Sequence, residues 1–145
     1  NVNATATLGG TGTIAGLVTV ASTGHVSPGD NSGDTLTLSD GLTLENGSVL
    51  DIAVDTSGSD DDLISITGGT FTGAGTGGVT VNVTLSTTAE GTYTLMDWTG
   101  ADLADGVATD DFNLVCSGTG NYSLSVTGQQ LILSVSNGGT LFKFK

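Results

Sequence analysis

Residues 9–54 read GGTGTIAGLVTVASTGHVSPGDNSGDTLTLSDGLTLENGSVLDIAV. Short apolar and β-branched alternations recur in this stretch: Leu17-Val18-Thr19-Val20, Leu36-Thr37-Leu38, Leu42-Thr43-Leu44 and Val49-Leu50-Asp51-Ile52-Ala53-Val54. Brief runs of Gly, Ser, Asn and Asp separate them. Successive side chains of a strand point to opposite faces, so an apolar residue at every second position builds one buried face. Strands this short, cut by turns at fairly even intervals, predict the coils of a β-solenoid. A single coil cannot bury its own apolar face, and the next coil stacked on it supplies the missing partner.

Working outward, residues 1–8 (NVNATATL) alternate polar and apolar and predict a first strand. Residues 55–62 (DTSGSDDD) form the most polar loop, followed by short strands at Leu63–Ile66 and Thr70–Thr72. After a glycine-rich turn at 73–78 comes the cleanest period-two segment, Val79–Leu85. Thr92–Trp98 predicts another strand, and residues 99–111 read as an acidic loop, the one segment able to form a helical turn. Phe112–Cys116, Tyr122–Val126 and Gln130–Val135 close the series, the last two joined through Thr127-Gly128 as a hairpin. The expected fold class is all-β, a parallel β-helix with antiparallel hairpins in its C-terminal part. A β-sandwich or jelly roll is the alternative, because of those hairpins. Residues 1–139 read as a single all-β domain, and 140–145 as a C-terminal strand able to exchange with a neighbouring subunit.

Gly10-Thr11-Gly12-Thr13-Ile14-Ala15-Gly16, then Val18-Thr19-Val20, Val26-Ser27-Pro28-Gly29-Asp30-Asn31 and Thr35-Leu36-Thr37-Leu38, resemble the autotransporter-associated β-strand repeat. That repeat occurs in long bacterial surface and secreted proteins, including the passengers of autotransporters. Asp62-Leu63-Ile64-Ser65-Ile66-Thr67-Gly68 resembles the segment that usually follows it, and Gly91-Thr92-Tyr93-Thr94-Leu95-Met96 the one after that. The resemblance touches most of residues 9–135. It implies a right-handed parallel β-helix, exported, with a structural or adhesive role, and it brings no catalytic residues. The chain departs from the family in being short, without a membrane barrel or a long repeat array.

The bulk numbers agree with such a class. At 145 residues the chain suffices for one domain with a continuous core. Charged residues make up 12% of it, against about 25% in ordinary soluble domains. Two basic and 15 acidic residues give −13, which argues against nucleic acid and anionic membranes as partners. With 24 glycines disorder has to be weighed, but regular alternation and a mean hydropathy of +0.20 speak against it. No stretch approaches the roughly 20 apolar residues that span a bilayer as a helix, so no membrane insertion is expected. The sequence starts at Asn1 without an initiator Met, and the expectation is an extracellular or cell-surface chain whose targeting segment has been removed, or a piece of something longer. Cys116 is the single cysteine, so it reads as a small buried apolar residue within its strand.

Few constellations suggest chemistry. Asp60, Asp61 and Asp62, with Asp55 nearby, gather hard oxygen ligands and are candidates for calcium. Their spacing matches neither an EF-hand nor the GGxGxD repeat, and a solvated acidic turn is the favoured reading. Asp30, Asp34 and Asp40, and likewise Asp102, Asp105, Asp110 and Asp111, read as residues closing turns on their own backbone. Paired carboxylates cleave glycosides on some β-helices, but aromatics are 5% here and the basic residues lie within the last three positions. His25, the lone histidine, has no nucleophile motif beside it. No catalytic residues and no enzyme activity are expected, and calcium is the sole cofactor candidate. Asn3, Asn46, Asn82 and Asn121 each start an N-x-S/T sequon, a glycosylation signal that arises readily by chance in so Thr- and Ser-rich a chain.

The last segment is the most informative feature outside the repeat. Lys143 and Lys145 are the chain's cations and flank Phe144. On a regular strand Phe142 and Phe144 share one face, and Leu141, Lys143 and Lys145 the other. Two phenylalanines after a Gly-Gly hinge need a groove, found either on the chain's own sheet or on the next subunit. Open solenoid ends template strand addition. A cationic tail on an acidic body favours head-to-tail order, and contacts of that kind that do not close make a filament. Leu141, Phe142, Lys143, Phe144 and Lys145 are therefore the predicted assembly residues, with the chain itself as partner and the N-terminal strand NVNATATL as the alternative donor. The expected function is a structural subunit of an extracellular filament, self-assembling by strand addition. The alternative is an adhesin or stalk piece of an autotransporter-like passenger that binds surface glycans.

Overall fold

The computed structural model describes residues 1–29, 33–55, 61–86, 90–104, 106–117 and 120–136. Strands follow one another in groups of three. The first group is β1 (Thr7–Gly10), β2 (Gly12–Ile14) and β3 (Val18–Val20), and the second β4 (His25–Pro28), β5 (Thr35–Leu38) and β6 (Gly41–Leu44). The third is β7 (Ser48–Val54), β8 (Leu63–Ile66) and β9 (Thr70–Thr72), and the fourth β10 (Val79–Leu85), β11 (Gly91–Asp97) and β12 (Asp102–Leu103). A 3-10 turn at Thr109–Asp111 then leads into β13 (Phe112–Ser117), β14 (Asn121–Thr127) and β15 (Gln130–Ser136). Among the described residues there is no α-helix.

Up to β13, each strand pairs in parallel with the one three places along the chain. One sheet is β1-β4-β7-β10-β13, a second β3-β6-β9-β12, and the third begins β2-β5-β8-β11 before the hairpin β15-β14 completes it. Val2 adds a parallel bridge to Val20 at the margin of the second sheet. The protein is therefore all-β with mainly parallel sheets. Antiparallel pairing between named strands is confined to β11–β15 and β15–β14, fewer hairpins than a sandwich requires.

Register turns the alternation into rows. Leu8, Val26, Leu50, Val81 and Leu114 are successive partners across the first sheet. Leu36, Ile64, Met96 and Leu131 follow one another across the third, and Val18, Leu42 and Phe71 across the second. All three sheets contribute to one apolar cluster. Strands of parallel sheets usually read as unbroken apolar runs because both faces are covered. Here the sheets share one core and leave their outer faces to water, so parallel strands alternate. On β9 of the second sheet Phe71 meets Trp98, ring centroids 5.1 Å apart and tilted by 50°, which favours an aromatic pair.

The corners stack as well. Thr5 N–H donates to Thr23 O, Thr23 N–H to Gly47 O, Gly47 N–H to Gly78 O and Gly77 N–H to Asp110 O, at 2.6–2.9 Å. Turn backbone that would otherwise lack partners is thus satisfied by the turn of the next layer. Gly41 shows how tight this stacking is. Its φ is +101°, and a Cβ there would collide with the backbone of Thr70 in the layer beside it.

The predicted strands from Val18 to Val54, and those at Leu63–Ile66, Thr70–Thr72 and Val79–Leu85, fall on observed strands within a residue or so. The expected first strand over residues 1–8 is shorter: Val2 makes its bridge, Ala4 and Thr5 turn, and β1 begins at Thr7. β1, β2 and β4 carry Gly9, Gly10, Gly12, His25 and Pro28, residues of low strand propensity that stacking holds extended. Within 99–111 the chain forms β12 and a 3-10 turn rather than a plain loop. Cys116, expected to be buried, is half-buried on outermost strand β13, where desolvation pushes its thiol pKa up.

Candidate functional site

Three features stand out: a polar row on the outer face of the first sheet, the acidic residues beside it, and the open margins of the sheets. The row follows from alternation. Val26, Leu50, Ile52, Val81 and Val83 point into the core, so His25, Asp51 and Asn82 point out from β4, β7 and β10. His25 Nδ1 lies 2.6 Å from Asp51 Oδ2, and Asn82 Nδ2 donates to Asp51 Oδ1 at 2.8 Å. A shallow depression of about 200 Å³ adjoins them, lined among others by Ser27, Gly29, Asp62 and Thr84. Outward alternation was readable in the sequence, but adjacency of His25 and Asp51 required the register. A half-buried pair at the surface of this kind contributes about 0–1 kcal/mol and serves mainly to order the row.

Of the calcium candidates, Asp60 lies outside the described residues. Asp61 is half-buried; the burial of Tyr93 itself and, second to it, the negative charge of Asp61 push the Tyr93 phenol up. Asp62 is 2% exposed. Its Oδ2 accepts from Ala53 N–H at 3.0 Å, and its Oδ1 lies 3.4 Å from Asp34 N. That carboxylate ties the entry of β8 to β7 and to the approach to β5, a structural task that burial of a charge demands. Among the described residues no group of three or more His, Cys, Asp or Glu is placed to hold a metal ion.

Two acids cap local backbone as turn residues do. Asp111 Oδ2 accepts from Ala108 N–H at 3.0 Å, and Asp97 Oδ1 accepts from the N–H and hydroxyl of Thr99 at 2.8 Å. Asp40, Asp102 and Asp110 are exposed, and Asp30 and Asp105 lie outside the described residues. Of the sequon asparagines, Asn3, Asn46 and Asn121 are exposed. Asn82 is half-buried and engaged with Asp51.

Among the described residues, the outermost strands of the sheets pair on one side only. The first sheet ends on β1 and β13, the third on β2 and β14. β14 is antiparallel to β15, which is antiparallel to β11, so β14 runs in the same direction as β11, β8, β5 and β2. Apolar side chains remain half-covered at both ends: Leu8 and Ile14 at one, Leu114, Tyr122, Leu124 and Val126 at the other. Leu17 and Val115 are 54% and 55% exposed. The predicted assembly residues Leu141, Phe142, Lys143, Phe144 and Lys145 lie outside the described residues. No protein-family model matches the sequence, and no curated protein matches it.

Proposed function

We propose that the chain is an exported, non-enzymatic structural subunit whose sheets wind as a parallel β-solenoid. Copies join head to tail by strand addition into an extracellular filament or surface fibre. The carrying observation is that β1 and β13 are the outermost strands at opposite margins of one wholly parallel sheet. Such edges present rows of N–H and C=O groups that pair with another strand. Because the two margins differ, joining one to the other is a heterologous contact, and repetition without closure gives a filament. The net charge of −13 keeps the sides of neighbouring assemblies apart, leaving the ends as the place of contact. Resemblance to the autotransporter-associated repeat supports export and a structural role.

The test is light scattering over a concentration series with negative-stain microscopy of the same samples. Growth into unbranched filaments with strands across the axis is expected. A monodisperse monomer at every concentration would overturn the proposal and favour a passenger fragment instead.

A further inference from the structure

Resting on that reading, we infer that β14 is a built-in stop. It fills the place on β15 that β2 of a second copy would take, so joining at β13 waits until β14 peels away.

The position follows from the strand order. β13 and β15 lie on β10 and β11 of one group. There the first sheet ends, among the described residues, while the third continues one strand further, to β14. At the opposite margin the two sheets begin level, with β1 and β2 paired to β4 and β5. Thr11 alone separates β1 from β2, so an incoming copy cannot seat one without bringing the other. Its β1, laid on β13, stands one strand spacing further out, about 4.8 Å. Its β2 must then stand one spacing beyond β15, where β14 already lies. Direction matches as well, because β14 runs the same way as β2 and meets β15 antiparallel.

The strands that would meet suit one another. Leu8 and Leu114 stand at the two ends of the inward row of the first sheet, and both are half-covered. With β1 of the second copy on β13, its Leu8 continues that row opposite Leu114. All 15 acidic residues lie between positions 30 and 111. β1, β2, β13 and β15 therefore bring no carboxylates to the junction, and no like-charge repulsion opposes it.

β14 is also the less firmly held strand of its hairpin. Leu131, Leu133 and Val135 of β15 are buried, whereas Val126, Leu124 and Tyr122 opposite them are half-covered. Tyr122 Oη is buried without a hydrogen-bond partner among the described residues, a penalty that is relieved when the strand moves into water. Away from β15, Val126 N–H donates to Thr109 Oγ1 at 2.8 Å, which ties β14 to the turn before β13.

A disulfide lock tests the stop. In a Cys116→Ser background, Ser123→Cys and Ser134→Cys replace two residues that face each other across β14 and β15. Antiparallel partners lie about 4.5–5.5 Å apart between Cα atoms, within the reach of a disulfide. The reduced full chain should form filaments after a lag in light scattering. Forming the bond within each chain should abolish that growth, and dithiothreitol should restore it. Thr109→Val, which releases Val126 N–H, should shorten the lag about fivefold, the worth of one hydrogen bond. Equal growth with the bond formed would overturn the stop and leave head-to-tail assembly standing. Absence of filaments from reduced and oxidised protein alike would remove the assembly reading itself, and this inference with it.

Discussion

Asp97 is the residue on which the attachment of the last hairpin turns. It ends β11, pairs with Gln130 of β15, and its Oδ2 accepts from Gln130 Nε2 at 2.7 Å while Oδ1 serves Thr99. Partial burial pushes this carboxyl up, but the bonds from Thr99 and Gln130 outweigh it and hold the pKa below the usual aspartate value. A carboxyl lower in the folded than in the unfolded chain adds stability above the unfolded value, about pH 4. It loses that contribution as pH falls through the folded value. Asp97→Asn should cost about 1–2 kcal/mol at neutral pH, and the gap to the parent should shrink in denaturant titrations below about pH 4. An unchanged gap in acid would show that the charge of Asp97 is not what anchors β15. Nothing in the sequence singled out Asp97, because Gln130 becomes its partner only across an antiparallel register.

Strands and corners obey different rules, and glycine separates them. Gly41 and Gly75 both have positive φ, +101° and +78°, so alanine is strained at either. At Gly75 a Cβ enters open space, but at Gly41 it meets the Thr70 backbone. Gly75→Ala should therefore cost about 1–2 kcal/mol. Gly41→Ala, which must also push two layers apart, should cost at least about 3 kcal/mol. Urea midpoints of the two variants measure this, and equal losses would mean that corner stacking is looser than the contacts indicate. Period-two segments such as Val79–Leu85 were legible because each strand needs only its own alternation. β1, β2 and β4 were not, since Gly10, Gly12 and Pro28 carry no strand preference of their own and are held by the layers beside them.

Across the whole molecule, stability should be graded along the stack. Inner strands such as β5, β7 and β8 have a partner on each side, whereas among the described residues β2 and β14 pair on one side only. Hydrogen exchange should be slowest in the inner strands and markedly faster in β2, reflecting local opening at an unpaired edge. In assembled samples protection of the outermost strands β1 and β13 should rise, while that of β7 stays as it was. Equal protection of β1 and β13 before and after assembly would argue that these margins do not take up a strand. The acidic balance acts at this scale too, as like charge along the body leaves end contacts favoured over side contacts.

The sequence by itself determined that the protein is all-β, where most strands lie, which face of each is apolar, and that a hairpin closes near Gly128, its turn being Gly128-Gln129 rather than Thr127-Gly128. These are local properties, set by side-chain alternation and turn chemistry within a few residues. Tertiary structure alone decided that strands pair three places apart and in what register. From that follow the proximity of His25, Asp51 and Asn82, the burial of Asp62 against Ala53, and the open margin at β2. Pairing between distant segments depends on which apolar rows complete one another in a shared core, and no short stretch of the chain contains that information.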